Sequence, residues 1–403
     1  MTKFASHTPS ITDGEMAIHF LESREALRCV EPAWNELQHH PNSSMQQYLL
    51  SLELPGVLSP FVIVVCRDSI VQSLLVGRIE HKKVSFAFGY RTLLAPTLKR
   101  LVFLHEGLLG CCDPRTSAVL VRALRVAIQR LDVDCIYFST LRVGTALYSD
   151  LGDCRTALRI CEPLVVRRHR AMTLPSTLDG MWSRLSAKVR KNLRRQARVI
   201  EEAYGSSLWV STFHKAQDLD TMIADVEHVA RKTYQRALHV GFTDDPWTRR
   251  RMQLCAEEGW LKAYVLYVKG EPVAFWIGTL FHGTFHSNFM GYDPSLAHLS
   301  IGMYLIVKVL ETMCQSHSEG ARIERIDFGL GDAQYKEVLG DCEWRESSFS
   351  CYTDRWRSKW LYWAERIILF GDHKARLALE RLGKFDSIKK FWRSYSQRRH
   401  TAK

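Results

Sequence analysis

The segment between residues 291 and 314 places a turn directly before a helix, an arrangement that can bind phosphate. An aromatic and β-branched run ends at a Tyr-Asp-Pro turn (residues 292–294), and a helical apolar pattern begins near Ser300. The first N–H groups of a helix have no acceptor within the helix, and the helix dipole adds positive charge at this end. The pattern therefore predicts a phosphate or diphosphate site made by backbone N–H groups. Its predicted residues are Ser300, Ile301, Gly302 and Met303, and an ordinary helix N-cap with a glycine for packing is the open alternative.

A second group of polar residues follows a short strand pattern that ends in a Gly-rich turn at residues 329–331. Asp327 is predicted to deprotonate an ammonium or hydroxyl nucleophile, and Asp332 and Lys336 to position a polar acceptor. The alternative stays open, because Asp beside Gly is common in turns and a lysine there could be solvated. Glu271, His286 and Asp293 are weaker candidates for a base.

Positive charge is concentrated in two segments of a chain whose formal net charge is +12. Residues 184–198 carry 7 Lys or Arg and no acid, and residues 355–403 carry 14 Lys or Arg against 4 acids. In the first segment, Lys188, Arg190 and Arg194 are predicted to hold an anionic acceptor, a phosphate of the donor or a tRNA acceptor stem. A solvated helix face would show the same pattern.

The second basic segment interleaves Trp with Lys and Arg, from Arg355 to Arg393. A basic amphipathic helix with Trp is typical of peripheral contact with an anionic membrane. Nucleic-acid contact, or packing of the aromatic face on the protein, stays open, although no DNA partner is expected.

Composition is that of a globular protein, with 403 residues, 46% hydrophobic and 24% charged. No window approaches the ~20 apolar residues of a membrane span, and the N-terminus lacks a secretory pattern. The 11 Cys are scattered without Cys-x-x-Cys spacing, which predicts reduced thiols, no metal site and a cytoplasmic protein. His39, His40, His105 and His169 show no metal-ligand spacing and are predicted to be surface or core histidines.

Both halves of the chain follow one order of elements: helix, strands, helix, strand. The first half predicts helices at 23–39 and 117–130 and strands at 60–66, 71–79, 84–88 and 134–139. The second half predicts strands at 165–174, 208–212, 263–268, 271–280, 284–290, 323–328 and 344–352. Its predicted helices are 177–203 in two pieces, 219–238, 245–258, 300–317 and 334–339.

The second half resembles the GNAT superfamily of N-acetyltransferases. Tyr292-Asp-Pro followed by Ser300-x-Gly-x-Tyr-Leu305, and then Asp327-Phe-Gly-x-x-Asp332-x-x-Tyr335-Lys336, is similar to the CelD-type branch. That branch is associated with cellulose and exopolysaccharide biosynthesis and is related to the FemAB transferases, which are tandem GNAT-like folds. The basic stretch 185–195 also looks like this branch. Only one Gly stands where GNAT enzymes usually have a Gly-rich loop.

The resemblance implies an α/β (α+β) fold of two tandem GNAT-like domains with central mixed sheets and a basic helical tail. Together with the polar N-terminus and the basic C-terminal segment, this predicts a disordered tail at 1–15, a degenerate domain at 16–160, an acyltransferase domain at 161–353 and a basic tail at 354–403. It also implies acyl-CoA, as acetyl-CoA, as the co-substrate. Tyr335 would protonate the departing thiolate, and the backbone around Asn288 and Met290 would polarise the thioester carbonyl.

Three functions follow from these features. The first is transfer of an acyl group to an amine or hydroxyl of a saccharide or peptide-like acceptor, in exopolysaccharide or cell-envelope biosynthesis. The second is an aminoacyl-tRNA-dependent FemAB-like transferase whose basic helix holds tRNA. The third is an inactive GNAT pair that scaffolds a polysaccharide synthase at the inner membrane.

Overall fold

The computed structural model describes residues 10–13, 15–88, 91–153, 159–161, 166–233, 236, 241–315 and 323–381. Contacts divide the chain into a first unit, residues 1–167 with 344–383, and a second unit, residues 168–343 with 384–403. Residues 344–383 thus group with the first unit, whereas the sequence pattern placed the end of the second domain at residue 353. Most of the predicted tail 1–15 and the end of the basic tail, 382–403, lie outside the described residues.

The first unit is built on a mixed sheet in the order β1-β2-β3-β4-β7-β8-β16, with β9 paired to β16. Its pairings are antiparallel except that of β7 with β8, which is parallel. The strands are β1 (Ser10–Asp13), β2 (Met16–Leu21), β3 (Val57–Arg67), β4 (Ile70–Lys83), β7 (Thr97–Gly110), β8 (Cys135–Arg142), β9 (Arg159–Cys161) and β16 (Cys342–Tyr352). A separate hairpin joins β5 (Phe86–Phe88) and β6 (Arg91–Leu94).

Helices cover both faces of this sheet. Strand β3 is therefore buried on both sides, and its residues 60–66 are all buried. Trp34 and Tyr48 are fully buried on one face, and Leu120 and Leu124 are fully buried on the other. The helices are α1 (Arg24–Leu27), α2 (Glu31–Leu37), α3 (Met45–Ser51), α4 (Pro114–Arg130), α5 (Ala146–Asp153) and α12 (Trp356–Arg381). The single helix predicted at 23–39 is wrong: it is broken by a 3₁₀ turn before α2, near Pro32, which lacks an N–H donor.

The second unit has a mixed sheet in the order β10-β15-β14-β13-β12-β11. Only β14 and β15 are parallel. The strands are β10 (Arg167–Thr173), β11 (Leu208–Phe213), β12 (Leu261–Val268), β13 (Glu271–Phe281), β14 (Thr284–Tyr292) and β15 (Arg325–Leu330). In both units an antiparallel meander is thus followed by a helix and one parallel strand.

The helices of the second unit lie on both faces of its sheet. Trp276 and Phe285 anchor the core on the face of α6, α7 and α10, and Phe275 lies in the core on the other face. The helices are α6 (Leu178–Arg184), α7 (Ala187–Tyr204), α8 (Leu219–Ala230), α9 (Pro246–Glu257), α10 (Ile301–Gln315) and α11 (Gln334–Leu339). The predicted break within 177–203 is confirmed, because Ser186 caps α7 through the N–H of Val189. Residues 316–317 and most of 234–238 lie outside the described residues.

Two hairpin turns fix the register of β12, β13 and β14, as the sequence predicts. Lys269 and Gly270 have φ values of 53° and 85°, and His282 and Gly283 have values of 45° and 72°. Two consecutive positive φ values are the signature of a tight turn whose twist matches that of the flanking strands.

The predicted mixed α/β fold with a helical C-terminal segment is confirmed. Within the described part of the chain, no helix is long and apolar enough to cross a membrane.

Candidate functional site

The two parallel strands of the second unit separate in the middle of its sheet. Pairing between β14 and β15 runs from Thr284 and Arg325 to His286 and Asp327 and is not recorded beyond them in the described residues. Both strands nevertheless continue, β14 to residue 292 and β15 to residue 330. The carboxyl ends of parallel strands are the usual place for a ligand in an α/β sheet. The gap between these ends is therefore the candidate site.

A β-bulge lies on β14 directly beside this gap. Ile277 pairs with Phe289 and Gly278 with Ser287, so Asn288 is an extra residue in the strand. The side-chain amide of Asn288 donates to Thr279 Oγ1 over 2.7 Å, which holds the bulge in place. The backbone of Asn288 thus leaves the regular ladder at the position predicted to polarise a carbonyl. The other predicted residue, Met290, is half-buried and packs on the core under α10.

The helix that follows β14 begins with three backbone N–H groups that its first turn does not use. Ser300 has φ 56° and ψ 37°, a left-handed conformation that ends the 3₁₀ turn Pro294–Leu299. The N–H of Tyr304 donates to Ser300 O, whereas the N–H groups of residues 301–303 have no protein acceptor among the described residues. Gln196 of α7 donates to Ser300 Oγ over 3.0 Å and fixes the turn. The N–H of Ser300 donates to Ala297 O, so Ser300, one of the four predicted residues, offers no free donor, and residues 301–303 are the candidates for binding an anion.

Gly302 is required at this helix start by its close neighbour. A Cβ on Gly302 would lie 2.9 Å from Cδ1 of Tyr292, closer than real Cβ contacts allow. The ring of Tyr292, which is 40% exposed, thus packs against the first turn of α10. The turn at 292–294 and the helix start are therefore one packed unit.

Asp327 lies where the two strands part and is bound from several sides. His169 Nε2 lies 2.5 Å from Asp327 Oδ1, the N–H of Gly329 donates to the same oxygen over 2.7 Å, and His286 Nδ1 lies 3.6 Å from Oδ2. Burial favours a raised pKa, but hydrogen bonds and charge from both histidines hold the pKa of Asp327 well below its usual range. Asp327 is thus a stable anion suited to orienting a histidine.

Lys336 is buried beneath the Gly-rich turn instead of being solvated. Its Nζ donates to the carbonyls of Leu330 and Gly329, over 2.7 and 3.2 Å. Burial lowers the pKa of Lys336 to about 8, although the charges of Asp327 and Asp332 act in the opposite direction. The open alternative of a solvated lysine is therefore wrong. An amine with this pKa can exchange a proton near neutral pH.

The other two predicted residues of this turn remain partly open to solvent. Tyr335 is half-buried and meets Phe328 edge to face, with ring centroids 5.7 Å apart. Asp332 is exposed. Gly329 and Gly331 have φ values of 70° and 108°, and open space surrounds their Cα atoms. The turn thus needs glycine for its conformation and leaves room above it for a ligand.

The basic helix α7 presents an exposed cationic face, but its arginines differ in their contacts. Arg190 Nη1 donates to three carbonyls at the end of α6, those of Trp182, Ser183 and Leu185. The guanidinium of Arg194 lies 5.0 Å from the centre of the Trp182 ring. The exposed cations of this helix are Lys188, Lys191, Arg194, Arg195 and Arg198. Arg190 therefore stabilises the α6–α7 junction, whatever else it contacts.

His169 joins the site although its sequence context predicts only a surface or core histidine. Strand β10 pairs antiparallel with β15, with His169 opposite Leu330 and Ala171 opposite Asp327. The two partners are 158 residues apart in sequence. No local pattern marks this contact, because it depends on β10 taking the place beside β15.

Comparison with protein families agrees with this geometry. Residues 187–337 match the family model described as "Acetyltransferase (GNAT) domain". This segment is similar to GNAT-type domains. It contains the parting strands, the helix start and the Gly-rich turn, and it supports acyl transfer as the reaction class.

Several solved structures are similar in chain trace. One is FemX, at 11% identity, covering 77% of this chain and 96% of that chain with a TM-score of 0.48. Another is a tandem GNAT protein from the clavulanic acid biosynthesis pathway, at 11% identity, covering 83% and 98% with a TM-score of 0.48. A third is the C-terminal domain of a putative lysylphosphatidylglycerol synthetase from Agrobacterium fabrum, at 12%, covering 72% and 83% with a TM-score of 0.42. The curated proteins give no match.

Proposed function

We propose that the second unit moves an acyl group, acetyl in the simplest case, from acyl-CoA to an amine or hydroxyl of a polar acceptor. The observation that carries this proposal is the open N-terminus of α10 beside the separating strands β14 and β15. The N-terminus of α10 supplies donors for a diphosphate, and the gap between β14 and β15 supplies room for the thioester arm. The GNAT-type domain over 187–337 supports the same reaction class.

In this proposal the N–H groups of residues 301–303 bind the diphosphate of coenzyme A. Three donors that point along a helix axis need no reorganisation to receive an anion. Gly302 contributes through its backbone N–H, whereas Ser300 shapes the turn without donating, because its N–H is bonded to Ala297 O and its Oγ accepts from Gln196. The exposed cations of α7 are suited to a further phosphate of the donor or to an anionic acceptor.

The acyl carbonyl would be polarised by a backbone N–H at the bulge formed by Asn288. A donor aimed at the oxygen that becomes negative stabilises the tetrahedral intermediate. The acceptor nitrogen or oxygen forms a bond to the carbonyl carbon, and the carbon–sulfur bond breaks. Tyr335 is proposed to give its proton to the departing thiolate, since a phenol can be a donor there.

The proton of the acceptor needs a separate group. Two side chains near the turn can take it: His169, which is held by Asp327, and Lys336, whose pKa is lowered to about 8. We assign Asp327 the role of orienting His169 and placing negative charge beside an ammonium acceptor. Asp332, which is exposed at the same turn, and Lys336 would position the acceptor.

The acceptor class is proposed from the CelD-like motifs alone. Tyr292-Asp-Pro and Asp327-Phe-Gly support an acceptor of exopolysaccharide or cell-envelope biosynthesis, with a free amine or hydroxyl. The test is release of the coenzyme A thiol from acetyl-CoA in the presence of amino sugars, measured with a thiol reagent. Thiol release that no acceptor stimulates, together with no binding of acetyl-CoA by folded protein, would refute the proposal.

The Gly302→Val variant tests the donor site. The added side chain collides with Tyr292 at the start of α10, so acetyl-CoA affinity is expected to fall by about tenfold or more, which corresponds to 1.4 kcal/mol. Gly152→Val is the matched control, because open space surrounds this helical glycine. Equal affinity in both variants, with intact thermal melting, would place the donor elsewhere.

A second candidate is aminoacyl transfer from tRNA, favoured by the exposed cationic face of α7. Lys188, Lys191 and Arg195 can be changed together to Ala without removing the carbonyl contacts of Arg190 or the stacking of Arg194. Loss of salt-sensitive tRNA binding in this variant would support the candidate. The control is Lys82, Lys83 and Lys215 changed to Ala, which removes three exposed lysines elsewhere. Unchanged tRNA binding in the α7 variant would exclude it.

Peripheral membrane contact is proposed for α12. Its large apolar residues lie at helical spacing on one face and are 53–83% exposed. They are Trp356, Trp360, Trp363, Ile367 and Phe370. Segment 355–403 has 14 Lys or Arg against 4 acids, which favours an anionic lipid surface and disfavours a second copy of the same charge.

A further inference from the structure

A cavity of about 180 Å³ lies inside the first unit, where β7 and β8 separate. Parallel pairing of these strands ends at Phe103 and Phe138, although β7 continues to Gly110 and β8 to Arg142. The same separation occurs between β14 and β15 in the second unit. An apolar cavity of roughly 150 Å³ holds a benzene-sized molecule. The cleft between β7 and β8 is therefore large enough for a small organic group.

The backbone at this cleft is held in an irregular conformation. Leu75 pairs with Leu108 and Gly77 with Phe103, so four residues of β7, 104–107, lie opposite Val76 alone. Within this bulge Glu106 has φ 53°, a left-handed conformation that is unfavourable for a glutamate. A Cβ on Gly107 would approach Val76 O to 2.9 Å. Such strained backbone concentrates at ligand sites, because the surrounding structure must impose it.

The lining of the cavity combines apolar and charged side chains. Phe103, Phe138 and Leu75 are among its apolar residues, Glu106 and Glu346 are its two carboxylates, and Arg142 also lines it. Glu346 is only 2% exposed, and its Oε1 accepts from the indole N–H of Trp344 over 2.6 Å.

Arg142, which lines the cavity, and His39, which contacts Glu106, are both engaged by protein groups. The guanidinium of Arg142 stacks 5.0 Å from the centre of the Trp344 ring. Glu106 also contacts His39 at 3.3 Å, where half of the histidine side chain is exposed to water. Hydrogen bonding to Glu106 raises the pKa of His39, against the effect of burial. A ligand with a positive charge would thus meet acceptors in this cleft, and an anion would meet two carboxylates.

The helix after β7 cannot bind phosphate as the helix after β14 can. Pro114, the first residue of α4, has no N–H, and Asp113 Oδ1 accepts from the N–H of Thr116 over 2.7 Å. A carboxylate therefore occupies the place that a diphosphate would need. In the second unit the corresponding N–H groups of α10 are open. The first unit is thus unsuited to a second coenzyme A.

We infer that the cleft between β7 and β8 binds a small ligand that carries a primary ammonium group on a compact, uncharged body. The two carboxylates receive the ammonium, which offers three donors, and the rings of Phe103 and Phe138 receive the body. This site is separate from the proposed acyl-CoA site. The inference does not depend on whether the second unit binds an acyl donor.

The test is calorimetric titration of the full chain with cyclohexylamine and, as its neutral counterpart, cyclohexanol. Glucosamine and glucose form a second pair with a sugar body. The amine of a pair is expected to bind at least about tenfold more tightly than its alcohol, the gain of a charge-assisted hydrogen bond. Equal binding within both pairs, or no amine binding at millimolar concentration, would overturn the inference.

Variants locate the site. Glu106→Gln is expected to weaken amine binding by about tenfold and to leave alcohol binding unchanged, because it keeps the shape and removes the charge. Glu31→Gln, at an exposed position on α2, is the control. Glu346→Gln serves as a second variant if its melting temperature equals that of the native chain. If it does not, the test rests on Glu106→Gln alone. Amine binding that survives removal of the Glu106 charge would contradict the assignment.

Acetyl-CoA titration of the same variants separates this inference from the proposed function. Glu106→Gln is expected to retain acetyl-CoA affinity while it loses the amine. Joint loss of both ligands in a folded variant would mean that Glu106 acts on the donor site, and the inference would fall.

Discussion

Replacing Lys336 with Met is expected to change how the stability of the protein depends on pH. Lys336 is 7% exposed, and burial lowers its pKa from 10.5 to about 8. Below pH 8 the lysine is protonated in both the folded and the unfolded state, so the folded state bears the full cost of the buried charge. Between pH 8 and 10.5 the unfolded state binds more protons, and stability therefore rises with pH.

The size of this effect follows from the shift. Each pKa unit corresponds to 1.36 kcal/mol, so the shift from 10.5 to about 8 corresponds to about 3 kcal/mol. The free energy of unfolding of the native chain, minus that of Lys336→Met, should rise by about this amount across the window. Met removes the charge and keeps an unbranched side chain, at the loss of the contacts with Gly329 and Leu330.

Urea unfolding followed by Trp fluorescence, at several pH values from 7 to 10.5, measures this difference. The control is Lys215→Met, because Lys215 is exposed and its replacement should give a difference that does not vary with pH. A difference for Lys336→Met that is equally flat between pH 8 and 10.5 would refute the buried-lysine argument. It would also remove the reason to assign Lys336 proton exchange near neutral pH.

Two other changes have definite expected results. Asp327→Asn should lower the free energy of unfolding by about 3 kcal/mol at pH 7, because it breaks a buried pair with His169. The pKa of Asp327 is lowered in the folded state, so the difference in free energy of unfolding between the native chain and this variant should shrink as the pH falls below 3.8. A difference that stays constant down to pH 3 would contradict the buried-pair argument. Trp360 and Trp363 changed together to Ala should reduce co-sedimentation with anionic phosphatidylglycerol vesicles by about tenfold, and Trp209→Ala, an exposed Trp elsewhere, should not. Equal co-sedimentation of both variants would exclude the membrane surface.

Local patterns predict the second unit well because its elements alternate regularly and end in strong turn residues. The hairpin turns Lys269-Gly270 and His282-Gly283 are where the sequence places them, since glycine marks positive φ. The helix at 334–339 has the predicted bounds. The open N-terminus of α10 also follows from local sequence, because a turn before Ser300 and Gly302 dictates it.

Contacts distant in sequence are not predictable in the same way. Strand β7 has no alternating pattern, because Lys99, Arg100, His105 and Glu106 interrupt it and a bulge breaks its register. Strand β16 follows the second unit in sequence but pairs with β8 and β9 of the first. Burial of charged groups depends on such pairings, and so does the approach of His169 to Asp327.

Hydrogen–deuterium exchange of the full chain with and without acetyl-CoA tests the central claim most directly, because it observes backbone N–H groups. Coenzyme A bound at the start of α10 should slow exchange at the N–H groups of residues 301–303 and at the Asn288 bulge. The start of α4, where Asp113 already accepts from the helix, should be unchanged. Acetyl-CoA that binds and leaves residues 301–303 exchanging as fast as before would contradict the account.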